Sequence, residues 1–243
     1  MKHSIEYRSA TPLRQPPCDV LSALRRSAVA APPPRREQEH EEPHGRRMPI
    51  GPRTHIFREG DRADRVYQLI DGAVMLYKLL PDGRRQVVEL LSAGDVFGMS
   101  GCAVYNCSAE TLAAGTVIAY DRAAVERSPA LARLMSAHVR AQFCALHEHA
   151  LLLGRKSALE RVASFIVRCL PGGGEQGGQC DGHGAVARLG MTRQEIADYV
   201  GLTLETVSRA FSKLRRLGVI TIEKHEEVLV HDLRRMYRLT GTS

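Results

Sequence analysis

The stretch Arg193–Ser212, RQEIADYVGLTLETVSRAFS, sets a carboxylate, two hydroxyls and a guanidinium along one side of a helical segment. Glu205, Ser208, Arg209 and Ser212 fall at i, i+3, i+4 and i+7, while Val207, Phe211 and Leu214 form the opposite, apolar stripe. This set suits base reading. Arg bonds guanine O6 and N7 bidentately, Glu accepts from cytosine N4, and Ser bonds either partner or a phosphate. An ordinary amphipathic helix with an i, i+4 Glu–Arg pair would carry the same face. The residues just upstream favour the DNA reading. Ile196 and Val200 recur at i, i+4, Ala197 is small where two helices would cross, and Gly201 suits a turn that needs positive φ. Thr203 can cap the second helix. Two helices joined so tightly make a helix-turn-helix, whose second helix enters the major groove. Thr203 and Thr206 at the start of that helix complete the DNA-binding set, with Lys213 and Arg216 placed for phosphates.

Such a helix needs elements to hold it. Gly218 gives a stop, and Val219–Ile222 and Val228–Val230 flank a small wing whose tip has Lys224 against three acids, a poor phosphate clamp. Upstream lie an amphipathic helix, Ser157–Leu170, and a Gly-rich loop over 172–178. The loop lacks the Lys-Ser/Thr of a phosphate-binding loop and reads as flexible linker. Residues 129–156 have a period of three and four, with Met135, Val139, Gln142, Leu146, His149 and Leu153 on a coiled-coil seam. Ser128-Pro129 suits its start. A helix buried against its own domain is the alternative. Further upstream, Gly60, Gly72, Gly83 and Gly94 recur at steps of 12, 11 and 11, each beside an Asp. They separate the short β-rich runs Val66–Ile70, Ala73–Leu80 and Arg84–Leu91. Asp71-Gly72 and Asp82-Gly83 are expected to be hairpin turns, and the whole a β-sandwich, barrel or jelly roll.

The chain has 243 residues, 44% hydrophobic and 25% charged, so a wholly disordered or fibrous protein is excluded. Its net charge of +7 permits a polyanionic partner. Residues 1–47, rich in Arg, Pro and Glu, are expected to form a disordered tail in which His40 and His44 are solvated rather than metal-bound. No apolar run reaches the ~20 residues of a membrane span, and the first residues have no apolar signal core, so a soluble cytoplasmic protein is expected. The six cysteines are expected to be reduced. No nucleophile–base constellation or metal quartet supports an enzyme.

With MTRQEIADYVGLTLETVSRAFSKLRRLGVI and GAVMLYKLLPDGRRQVVELLSAGDVFG as its specific segments, the chain resembles the CRP/FNR superfamily of bacterial transcription regulators over about residues 50–235. Glu205, Ser208 and Arg209 resemble the FixK-like branch, whose half-site is TTGAT in an inverted repeat. The resemblance implies an α+β chain: a disordered tail over 1–47, a cyclic-nucleotide-binding-type β jelly roll over 48–128, a dimerisation helix over 129–156 and a winged helix-turn-helix over 157–243. It also implies double-stranded DNA, RNA polymerase and a second copy of the chain as partners, no membrane, and an activator role in oxygen-limited or nitrogen-fixation gene control. In family members the hairpin corresponding to Pro81–Gln86 touches RNA polymerase, which makes Asp82 and Arg84 candidate contacts.

The departures from the family matter as much. Iron–sulfur members use three N-terminal cysteines and a central one. Here the N-terminal region has only Cys18, and Ile118-Ala119-Tyr120 stands on the central strand. Cyclic-nucleotide binders carry a Glu for ribose and an Arg for phosphate, where this chain has Gly98-Met99-Ser100 and Cys107-Ser108-Ala109. No cofactor is therefore expected. His55, His138, His147 and His149 are available to haem but are read as surface or seam residues. Cys102 with Cys107, and Cys144 with His147, are read as small packed residues ahead of redox or metal sites. Cys180, on the Gly-rich approach, is the thiol assigned to oxidative control. The competing reading is an effector-gated sensor of the same superfamily.

Overall fold

The computed structural model describes residues 45–170, 184–224 and 227–241, all within one unit spanning 37–243. Cys18, His40, His44, Cys180 and the Gly-rich loop lie outside the described residues. The expected tail is cut short at its end, because Arg46 and Arg47 already open the first strand.

Six strands build the N-terminal roll: β1 (Arg46–Ile50), β2 (His55–Phe57), β3 (Arg65–Leu79), β4 (Arg85–Leu91), β5 (Val96–Phe97) and β6 (Ser108–Asp121). All pairings are antiparallel, in the order β1-β6-β3-β4, with β2 on β6 and β5 on β3. Asp82-Gly83 forms the expected hairpin. The Gly83 N–H donates to the Leu80 carbonyl at 2.9 Å, and the Leu80 N–H donates to that of Arg84 at 2.8 Å. Asp71-Gly72 does not. It sits inside β3, where the register with β6 slips at Leu69/Asp71, Asp71/Ala73 and Ala73/Val74. Gly72 has φ +93°, and across from it a Cβ on Gly115 would lie 2.2 Å from the Asp71 carbonyl oxygen. The two long strands bulge where their backbones come this close. Turn and bulge make the same demand on glycine, which is why the local signal misled. Inside the roll, Phe57 stacks on Tyr105 with centroids 3.8 Å apart, and Tyr67 on Phe97 at 5.3 Å.

A short helix, α1 (Arg122–Arg127), leads to the long helix α2 (Pro129–Arg155). The Ser128 hydroxyl accepts from the Leu131 N–H, and Pro129 is the first helical residue. The expected seam on α2 is corrected at Met135, Gln142, His149 and Leu153. Met135 is buried against Val66, Val96 and Val125 of the roll. The Gln142 side chain donates to the Val96 carbonyl at 2.5 Å. The buried His149 ring lies 3.0 Å from the Val88 carbonyl and 2.8 Å from that of Tyr199. These three residues face the chain's own fold, as the alternative reading had it. Val139 and Leu146 remain exposed, at 44% and 42%, beside Phe143 at 60%. The exposed stripe is thus Ser136, Val139, Phe143, Leu146 and Ala150, with steps of three and four, whereas Leu153 packs against the buried cluster of the chain's own fold.

The C-terminal part contains α3 (Ala158–Arg168), β7 (Ala185–Arg188), α4 (Arg193–Val200), α5 (Leu204–Arg216), β8 (Ile220–Lys224), β9 (Glu227–Val230) and α6 (Leu233–Leu239). The wing strands match expectation within two residues, and β9 also pairs with β7 in the order β7-β9-β8. The elements α1, β7 and α6 had no expected counterpart. One buried cluster runs from Met75, Tyr77 and Val87 of the roll through Leu152, Phe165 and Ile166 to Val200, Phe211 and Leu214.

Candidate nucleic-acid interface

Local chemistry fixes both helices of the motif. At the start of α4 the Thr192 hydroxyl accepts the Glu195 N–H at 3.2 Å, and the Glu195 carboxylate accepts the Thr192 N–H at 2.8 Å. This reciprocal box satisfies two of the free donors at a helix start. Ile196, Ala197 and Val200 are fully buried. Gly201 ends the helix at φ +63°, in the left-handed region, and the Leu202 N–H returns to the Ala197 carbonyl at 3.0 Å. Two residues later the Thr203 hydroxyl accepts the Thr206 N–H at 3.2 Å and meets the Thr206 hydroxyl at 2.8 Å, which starts α5.

On α5, Val207, Ala210, Phe211 and Leu214 are buried. The other side is polar: Glu205, Ser208, Arg209, Ser212, Lys213 and Arg216 are exposed and line one shallow groove. Arg209 donates to Glu205 at 2.5 Å, and both side chains are more than 70% exposed. Such a solvated pair is weak, so it exchanges readily for base contacts. The six residues expected on this face come together. Thr203 and Thr206 also organise the helix start, since their hydroxyls meet on its cap. The basic last turn of α5, Lys213, Arg215 and Arg216, also matches the negative end of the helix dipole.

The sequence reading missed Arg193. Its guanidinium lies 3.5 Å from the centroid of the Phe211 ring, tying the start of α4 to the buried side of α5. Its Nη1 is buried without a hydrogen-bond partner among the described residues, and burial works against the guanidinium's charge. A cation opening the first helix of the motif was the available signal.

The other candidate residues are dispersed. Asp82 and Arg84 sit at the exposed tip of the β3–β4 hairpin and bond each other, the Arg84 Nε donating to Asp82 at 2.7 Å. The Arg84 backbone N–H, and next its guanidinium, hold the Asp82 carboxyl below the usual carboxylate range. Cys102 is exposed, while burial pushes the Cys107 thiol up to about 11 and the Cys169 thiol up to about 12, so both are protonated at neutral pH. His55 meets the Tyr77 hydroxyl at 2.9 Å, and His147 packs edge-on against Phe143. Among the described residues no three His, Cys, Asp or Glu side chains are grouped to hold a metal ion. The residues of the roll do not fit a cyclic nucleotide. Positions 107–109 carry no cation, the Ser108 hydroxyl accepts the Glu59 N–H at 3.0 Å, and four stacked rings fill the interior.

Comparison with known proteins agrees with this geometry. Residues 47–128 match the cyclic nucleotide-binding domain, and residues 160–239 match the Crp-like helix-turn-helix domain. The nitrogen fixation regulation protein FixK of Bradyrhizobium diazoefficiens is 39% identical over 204 residues, 82% of this chain and 84% of that protein. The transcriptional activatory protein AadR of Rhodopseudomonas palustris is 36% identical over 209 residues, 84% of this chain and 86% of that protein. The solved structure of FixK2 from Bradyrhizobium japonicum superposes with a TM-score of 0.70 at 32% identity, covering 82% of this chain and 98% of that one. With a sensor-type roll, a long helix and a capped helix-turn-helix in that order, the chain belongs to the CRP/FNR superfamily of transcription regulators, in its FixK-like branch.

Proposed function

We propose that the protein is a cytoplasmic, homodimeric activator that reads TTGAT-type inverted repeats in the control of oxygen-limitation or nitrogen-fixation genes. The observation that carries this reading is the α5 face, where Glu205, Ser208, Arg209 and Ser212 stand exposed on a helix whose other side is locked by Val207, Phe211 and Leu214. The relatives named for nitrogen fixation regulation and for transcriptional activation support the physiological half of it. Glu205 and Arg209 specify bases, Ser208 and Ser212 tune the same half-site, and Lys213 and Arg216 hold phosphates. A second copy covers the exposed stripe of α2 around Val139, Phe143 and Leu146, since an inverted repeat calls for a two-fold reader. The Asp82–Arg84 tip faces RNA polymerase. The protein works without iron, haem or cyclic nucleotide, and the roll serves as a platform.

Binding of the purified protein to an inverted TTGAT probe, in air and without it, tests the reading. Equal, saturable binding in both is expected. Failure to bind overturns it, and binding that follows a visible iron–sulfur or haem band puts the effector-gated reading in its place. At saturating probe, an Asp82→Ala/Arg84→Ala pair is expected to lower transcription in vitro; equal transcription removes the polymerase contact.

A further inference from the structure

The winged helix is held to the roll at several points along α4, the helix directly behind α5. At the centre the contact is apolar: Met75, Tyr77 and Val87 of the roll share a buried cluster with Phe165, Ile166 and Tyr199. At the rim it is charged, and the charges are sorted by side. The cations, Arg53 and Arg85, come from the roll; the anions, Glu195 and Asp198, come from α4. The Arg85 Nε donates to Asp198 at 2.8 Å, its Nη1 lies 3.7 Å from Glu110, and its guanidinium rests over the Tyr77 ring at 5.3 Å. Arg53 forms a close ion pair with Glu195. The carbonyl end of α4 is held as well. Gln86 donates to the Tyr199 carbonyl at 3.3 Å, and Arg161 to that of Val200 at 3.1 Å. His149 of α2 abuts the same Tyr199 carbonyl.

These pairs differ from solvated surface bridges. The side chains of Glu195 and Asp198 are 6% and 10% exposed. Removing a cation from such a carboxylate leaves a charge with little access to water, which costs far more than losing an exposed pair. Arg53 also has φ +55°, the left-handed region that a non-glycine residue seldom adopts, and its N–H donates to the Thr111 carbonyl at 3.0 Å. A strained backbone therefore presents the side chain that reaches α4.

The position of α4 sets the tilt of α5 through a three-residue turn closed by Gly201. A tilt of about 10° over the ~20 Å of a thirteen-residue helix moves its far end by roughly 3.4 Å, one base-pair step. In a two-fold reader, that movement changes which separation of half-sites both recognition helices can engage.

Building on the dimeric DNA-binding reading, we propose that the Arg53–Glu195 and Arg85–Asp198 pairs are positioning contacts that select the spacing between the two half-sites. The residues on the α5 face choose the bases; these pairs choose the distance. Arg53 and Arg85 touch no base.

The test measures the affinity of the full chain for inverted repeats with one constant half-site and spacers stepped a base pair at a time, each with a control carrying a mutated half-site. Wild type is expected to prefer one spacer by about tenfold or more over its neighbours, on the scale of one mismatched pair. Arg85→Glu, which sets a third carboxylate against Glu110 and Asp198, and the milder Arg53→Ala are each expected to flatten that preference to about twofold while retaining discrimination against the mutated half-site. Arg85→Glu combined with Asp198→Arg returns a cation between positions 85 and 110 and is expected to restore the preference. If Arg85→Glu does not fold, Arg53→Ala alone decides. Variants that fold and keep the wild-type spacer preference, or a swap that fails to restore it, overturn the proposal. A folded wild type that binds no probe in the series overturns the DNA-binding reading as well, and so the two failures are told apart.

Discussion

Helices α5 and α2 are both amphipathic, yet they have different numbers of apolar sides. On α5, Val207, Ala210, Phe211 and Leu214 turn inward, and the opposite face carries carboxylate, hydroxyl and guanidinium groups. On α2, Met135, His149 and Leu152 are buried against the chain's own fold, while Val139, Phe143 and Leu146 stand in solvent on another side. A helix with one apolar side has all its apolar partners within the chain and leaves a polar surface for recognition. A helix with two has one apolar side still to cover, and burying it needs another surface. The same amphipathic principle thus leaves a polar face in one case, which suits the proposed reading head, and an uncovered apolar face in the other, which suits the proposed assembly contact.

Breaking the outer side of α2 is the harshest trial of that contrast. Phe143→Asp with Leu146→Asp is expected to give monomers by light scattering and to weaken binding of the full inverted repeat by about a thousandfold, with a thermal midpoint that no longer depends on protein concentration. Met135→Asp, two to three turns away on the inner side, is expected instead to lower folding stability by about 3–5 kcal/mol in a denaturant titration, because it buries an unpaired charge. If the two variants exchange these phenotypes, the faces have been assigned the wrong way round.

On α5 the effect should be narrower. Arg209→Ala is expected to lose about 1–3 kcal/mol of discrimination at one base pair of the half-site, measured by competition with mutated probes, while the melting curve stays in place. Full discrimination in this variant would move base reading to another element.

The mildest trial sharpens the description of the strand under the inner side of α2. Glu89 of β4 has its carboxyl pushed up from 4.5 to about 7, first by burial and then by Asp95, with Arg168 opposing. The folded value exceeds the unfolded one, so the stability this group contributes is present below about pH 4.5 and lost as the pH rises through 7. Glu89→Gln cannot ionise. It is expected to be more stable than wild type at pH 8 by on the order of 1–2 kcal/mol, with the difference shrinking towards pH 4.5. A difference that does not vary with pH would mean that the Glu89 carboxyl is in contact with water.

The helix-turn-helix was legible from residue order because its signals are local: Thr192 with Glu195, Gly201, and Thr203 all act within four residues of their targets. The seam of α2 was half legible. Two stripes offset by one residue share Val139 and Leu146, and only the position of the roll decides whether Met135 or Ser136 completes the set. The bulge at Asp71-Gly72 could not be told from a turn without Gly115 opposite. The Arg85–Asp198 pair joins residues 113 apart, and neither side chain is unusual in its own segment. Short-range chemistry is written in the order of residues, whereas contacts between domains appear only once the chain has folded.

The buried cluster that runs unbroken from Met75 and Val87 into Phe165, Val200 and Phe211 has a thermodynamic consequence. The roll also has a core of its own around Phe57, Leu69 and Val117, but a cluster that both parts share cannot be opened from one side alone. Roll and winged helix should therefore unfold as one cooperative unit, with the calorimetric and van't Hoff enthalpies in agreement. DNA held on α5 would then slow amide exchange in β3 and β4, because opening those strands requires disrupting the apolar packing beneath the bound helix.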